Sequence, residues 1–111
     1  MKDYRKPPTI RIEVKNNRFI LSTQLSKKLD LQNGNGVMFK INMNQKKCLI
    51  YKDNDPESFI VGQNNRVFRF NSKEMIQVFD TMHGILSKDK FYFNAFETEN
   101  KGVFSLEFFE K

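Results

Sequence analysis

The side chains of this sequence with the most obvious chemical reach are its cations. There are 19 Lys and Arg against 13 Asp and Glu, a formal net charge of +6. Residues 1–55 hold 12 basic and 5 acidic side chains, whereas residues 56–111 hold 7 and 8. A one-sided positive surface attracts polyanions, because each phosphate it neutralises releases condensed counterions. Solubility alone is the plainer use of such lysines. Arg11, Lys15, Lys27 and Lys28 form the candidate basic surface of the first half. Arginine offers it a planar fork suited to phosphates and guanine edges, and lysine a point charge.

Catalytic and metal chemistry finds little to work with. His83 is the one histidine; no Ser or Cys near it in sequence makes a nucleophile arrangement, and Gly84 beside it marks a helix end, where a capping or solvated role is expected. Cys48 lies in an apolar run and reads as a small buried hydrophobe. One Cys with one His cannot build a structural zinc site, and a lone Cys fits a reducing cytoplasm. Asp53-x-Asp55-x-Glu57 opens like a calcium loop, then has Ser58 where glycine is needed and Asn64 where a bidentate Glu is needed. Gly34-Asn35-Gly36 lacks the third glycine of a dinucleotide fingerprint and leads into a strand, so it is a turn. Glu97, Glu99, Glu107 and Glu110 read as an exposed face. The expectation is a non-enzymatic protein with no cofactor and no metal.

The elements that must position the cations follow from periodicity. Residues 9–15 alternate Ile10, Ile12 and Val14 against Arg11, Glu13 and Lys15, the pattern of a half-buried strand. Asn16-Asn17 predicts a turn, and Arg18 to Leu21 a second strand. Ser22 can cap a helix with Leu21, Leu25 and Leu29 on one face, ended by residues 33–36. Val37–Ile41 and Lys47–Tyr51 predict a hairpin with Val37, Phe39 and Ile41 on one face. Asp53-Asn54-Asp55-Pro56 punctuates the chain, and the order then repeats: a strand over 58–62, a turn at Gln63-Asn64-Asn65, and a strand over 66–70. Next comes a helix capped by Asn71 or Ser72, with Met75, Ile76, Phe79 and Met82 inward and Gly84 closing it. Strands over 91–96 and 103–108 complete the chain. Asn16-Asn17-Arg18 recurs as Asn64-Asn65-Arg66.

Two matched units, about 9–53 and 58–110, suggest an internal duplication within a single domain of 111 residues, preceded by a flexible tail over 1–8. A unit of about 45 residues could hardly bury its own apolar faces, and closure into a barrel would remove exposed strand edges. The expected fold is therefore α+β, mainly β: a small barrel of two fused β-β-α-β-β repeats with two short helices. The composition, 39% apolar with 12 Phe and a mean hydropathy of -0.62, suits a globular chain. No apolar run approaches the roughly 18 residues that span a bilayer, and Pro7-Pro8 breaks a charged start with no signal-peptide core behind it.

Within the first half, Arg18-Phe19-Ile20-Leu21-Ser22, Leu25, Lys28, Leu29, Leu31, Gly34-Asn35, Val37, Phe39, Ile41 and Leu49-Ile50-Tyr51-Lys52 resemble the swapped-hairpin AbrB/MazE-like family. The resemblance covers about residues 10–53, and the second half echoes it more loosely from Arg66 to Phe108. Asn17 stands where the family has glycine, Ser22-Thr23 where it has proline, and Gly34-Asn35 for its glycine-aspartate pair. The resemblance implies a fused, single-chain form of a barrel usually built by exchanging hairpins between two chains. It also implies DNA binding, with Arg18 and, through the repeat, Arg66 as contacts.

The expected function is a cytoplasmic DNA-binding or transcription-regulatory protein that meets duplex DNA through a basic N-terminal hairpin. One alternative is a protein–protein interaction module, or a homodimer, that uses the aromatic C-terminal half. Another is a single-strand binder using Arg66, Phe68 and Arg69. Phe91, Phe93, Phe96, Phe104, Phe108 and Phe109 are expected mostly in the core.

Overall fold

The computed structural model of the chain describes residues 8–64 and 67–109. Strand β1 (Thr9–Glu13) buries Ile10 and Ile12 and turns Arg11 and Glu13 outward. It is shorter than the alternation implies. Val14–Asn16 forms a single 3-10 turn closed by Asn17 in the left-handed region at φ 52°, a geometry asparagine accepts at little cost. Strand β2 (Arg18–Leu21) returns antiparallel to β1 with Phe19 and Leu21 inward.

Helix α1 (Thr23–Lys28) starts where expected but ends at Leu29, before the glycine turn. Ser22 does two jobs there. Its hydroxyl accepts the Leu25 N–H at 3.2 Å and the Thr9 N–H at 2.9 Å. Ser22→Ala therefore removes the acceptor of two backbone donors and is expected to cost about 1–2 kcal/mol. Ser72→Ala, whose hydroxyl accepts only the Met75 N–H at 3.1 Å among the described residues, should cost about 1 kcal/mol. Urea midpoints of the two variants at unchanged slope check the ranking.

Strands β3 (Gly36–Asn42) and β4 (Lys47–Lys52) form the expected hairpin. The next stretch differs from expectation. The strand anticipated over 58–62 is two short ones, β5 (Phe59–Ile60) and β6 (Gly62–Asn64), and the turn anticipated at Gln63-Asn64 is part of β6. Strand β7 (Val67–Asn71), helix α2 (Lys73–His83), strand β8 (Lys90–Glu97) and strand β9 (Val103–Phe109) follow. Met75, Ile76, Phe79 and Met82 are buried, and Gly84 closes α2 at φ 66°.

Among the described residues nine strands make one antiparallel sheet in the order β5-β3-β4-β9-β8-β1-β2-β7-β6. Its two ends, β5 and β6, are consecutive in the chain, separated only by Val61. The Val61 N–H donates to Asn35 O at 2.8 Å and Val61 O accepts the Gly34 N–H at 3.1 Å. The sheet thus curls into a nearly closed small barrel whose open seam is bridged by the chain itself. Exchanging β1–β4 with β6–β9, and taking β5 together with β6, maps this ring of neighbours onto itself.

The interior is a continuous apolar cluster from both halves. Ring contacts run from Phe59 through Phe70, Phe19 and Phe79 to Phe93, Phe91 and Phe108, at centroid distances of 4.2 to 5.7 Å. Residues 1–7 of the expected tail lie outside the described residues; the carbonyl of Pro8, its last residue, accepts the Ala95 N–H at 2.8 Å. Among the described residues no helix is long and apolar enough to cross a membrane.

Candidate nucleic-acid interface

The outward alternation of β1 and β2 places Arg11, Glu13, Arg18 and Ile20 on the barrel surface. Glu13 lies opposite Arg18 and holds both arginines: its Oε1 is 3.2 Å from Arg18 Nη1, and its Oε2 is 3.3 Å from Arg11 Nη2. One carboxylate thus orients two guanidinium forks and cancels one of their two charges. The Nε atoms of both arginines are buried without a partner, as is Oδ1 of Asn94, which lies opposite Thr9 on the adjoining strand β8. On β7, Arg69 sits opposite Ile20 and has no ion pair among the described residues. Tyr92, Arg11, Ile20 and Arg69 therefore form one row across four strands.

Lys15 stands at the turn of the same hairpin and pairs with Asp89 at 3.2 Å, both side chains about 80% exposed, a geometry that screening leaves weak. Lys27 and Lys28 lie past the other end of β2, on α1. Lys28 pairs with Glu97 at 3.2 Å. Lys27 borders an open groove of about 520 Å³ with Thr23, Ser26, Asp30, Gln63 and Phe68. Arg66 lies outside the described residues. The structure thus brings Arg11, Arg18 and Lys15 together on one hairpin and sets Lys27 and Lys28 apart. Of the five described cations in the expected surface, only Lys27 has no carboxylate partner among the described residues.

Arg69 is expected only in the single-strand alternative and not among the duplex contacts, although the alternation Val67, Arg69, Asn71 against Phe68 and Phe70 places it on the outward face. Lys40, Lys46 and Lys47 on the β3–β4 hairpin were also overlooked; all three are exposed. Their signal is the absence of any carboxylate between Asp30 and Asp53.

The aromatic expectations need two corrections. Phe68 and Phe70 are both buried in the core, 6% and 5% exposed, so β7 offers no ring for bases to stack on. Phe91, Phe93 and Phe104 are buried as expected, whereas Phe96 and Phe108 are 45% and 39% exposed, because Phe96 points outward from β8 and Phe108 sits near the end of β9; the Phe109 side chain lies outside the described residues.

The reactive groups are occupied structurally. Burial pushes the Cys48 thiol up to about 12, which keeps it protonated. Asp53 and Asp55 accept the N–H groups of Asp55 and Glu57 at 3.0 and 2.8 Å, closing the loop on itself. His83 packs against Phe91, Phe93 and Phe108 with ring centroids 5.4 to 6.1 Å away; the simple capping role expected of it is incomplete. Burial, and then the charge of Lys46, hold its pKa below the ordinary 6.5. The folded protein therefore disfavours the imidazolium. Stability from this residue is complete above pH 6.5 and falls as the pH drops through 6.5 toward the folded value. His83→Leu should reduce the loss of thermal midpoint between pH 7.5 and pH 5.5 relative to the parent; an unchanged loss would contradict this account.

No family model, no curated protein and no solved structure matches the chain.

Proposed function

We propose that this chain is a small, non-enzymatic, cytoplasmic nucleic-acid-binding protein that acts in regulation by contacting duplex DNA through its basic N-terminal half. The observation that carries the reading is the Arg11–Glu13–Arg18 array. Two guanidinium groups fixed by one carboxylate keep the planar geometry that reads phosphate or guanine edges with little ordering cost. Their Nε–H groups are buried and have no acceptor among the described residues, so the Nη edges are the part of each fork left to meet an anion. Arg69 extends the array on β7, and Arg66 belongs to the same reading.

The same reading makes the chain a fused, duplicated form of a swapped-hairpin AbrB/MazE-like barrel. Support comes from the repeated element order and from the ring of strand neighbours that maps onto itself. The experiment is selection of bound sequences from a random duplex pool. The parent should enrich a motif, and an Arg11→Lys/Arg18→Lys variant should keep salt-dependent binding while losing enrichment, because charge is retained and the fork is lost. Equal enrichment by both proteins would refute the array as the reading element.

One observation favours a second reading. Exposed Phe96 shares an outward sheet face with half-buried Leu49, Tyr51 and Val103, a surface a protein partner or second copy could cover. Concentration-dependent association without nucleic acid, abolished by Phe96→Ser, would support it.

A further inference from the structure

We infer that the β3–β4 hairpin is the element that enters the duplex, with Lys40, Lys46 and Lys47 on the phosphates beside it. This rests on the duplex-binding reading above and adds to its arginine array a second contact surface, one that can insert into a groove. The first reason is topological. The major groove admits a two-stranded β-ribbon, but only if the ribbon has free flanks. The β1–β2 hairpin has none, since β8 pairs along β1 from Thr9 to Glu13 and β7 pairs along β2 from Arg18 to Leu21. The β3–β4 hairpin differs. β5 pairs with β3 only at Gly36 and Val37, and β9 pairs with β4 only from Cys48 to Tyr51. Among the described residues, Asn42–Lys47 thus has no strand on either side.

The second reason is charge. The arginines of β1 and β2 share Glu13, and Lys15 and Lys28 have carboxylate partners. The hairpin carries Lys40, Lys46, Lys47 and Lys52 with no carboxylate from Gly36 to Lys52. Lys52 donates to the carbonyl of Asp30 at 3.0 Å; the other three form no ion pair among the described residues. Lys40 lies opposite Leu49, and Lys47 opposite Asn42, two residues further along β3 and so on the same outward face. Exposed Glu107, next along β9 from Leu106, is the carboxylate that this register brings toward Lys47, and the two form no ion pair.

The third reason is order. Asn42 Oδ1 accepts the Gln45 N–H at 3.2 Å, its Nδ2 donates to Gln45 Oε1 at 3.3 Å, and the Lys46 N–H donates to Met43 O at 3.3 Å. The tip is folded before any ligand arrives, which lowers the cost of binding.

The test is fluorescence anisotropy of a labelled random-sequence duplex between about 50 and 200 mM salt. It compares the parent, Lys40→Gln/Lys46→Gln/Lys47→Gln, and a charge-matched Lys73→Gln/Lys88→Gln/Lys101→Gln control. Each phosphate contact contributes about 0.9 to the slope of log affinity against log salt, so the hairpin variant should lose roughly 2.7, and the control little. Equal loss in both triples, or none in the hairpin variant, overturns the inference while leaving duplex binding intact. Absence of parent binding at about 50 mM salt overturns the duplex-binding reading itself.

Discussion

Phe79→Ala is expected to lower stability by about 3–5 kcal/mol and the thermal midpoint by roughly 12–20 °C. Phe79 is 1% exposed and its ring meets Phe19 on β2, Phe39 on β3 and Phe93 on β8 at 5.7, 5.8 and 5.1 Å. Truncation removes the burial of a large side chain, opens a cavity between strands of both halves, and forfeits three edge-on or tilted ring pairs. Phe79→Leu keeps much of the volume and should cost less than half as much. Because the cluster is shared, far-UV and near-UV signals should fall in one coincident transition, as two-state unfolding requires. A loss below about 1 kcal/mol, smaller than typical core truncations, would mean that α2 does not tie the halves together.

Gly36→Ala is expected to cost about 3 kcal/mol, the upper range for overpacking. A Cβ at Gly36 would collide with Ser58 Oγ and with the carbonyl oxygen of Asp53. Neither can retreat easily. Ser58 is buried and its hydroxyl donates to Asp55 O at 2.7 Å, and the Asp53 N–H donates to Gly36 O at 2.9 Å. Gly36 also pairs with Ile60, so the insult falls where β5 closes the barrel. Adding Ser58→Gly removes the side-chain collision but not the backbone one and should restore only part of the loss. Urea midpoints at constant slope provide the measurement; full tolerance of Gly36→Ala would show that the seam is not tightly packed.

Much of the scaffold was legible because strand and helix periods report which face a side chain takes. Ile10, Ile12, Phe19, Val37, Met75 and Phe79 all lie inward as their spacing requires. The seam was not legible: β5 and β3 share only the pairs Gly36–Ile60 and Val37–Phe59, too short for any period to show. The Asn-Asn-Arg recurrence also has limits as a guide. Its copies are 48 residues apart, whereas the inward pairs Phe19–Phe68 and Leu21–Phe70 are 49 apart, and a slip of one residue reverses a strand's faces. The charges of the candidate site were visible, but their pairing was not. Glu13 meets Arg18 across a turn, Lys28 meets Glu97 across 69 residues, and only the sheet order reveals that β1–β2 is flanked on both sides while the β3–β4 tip is free.

Duplex-DNA binding by this barrel is the proposal on which the others depend. Its most direct test is an anisotropy titration of the unaltered protein with matched duplex and single-stranded oligonucleotides at about 50 and 200 mM salt. The account predicts tighter binding to the duplex, weakening steeply between the two salt concentrations. No binding to either at the lower salt, or a preference for the single strand, would contradict it.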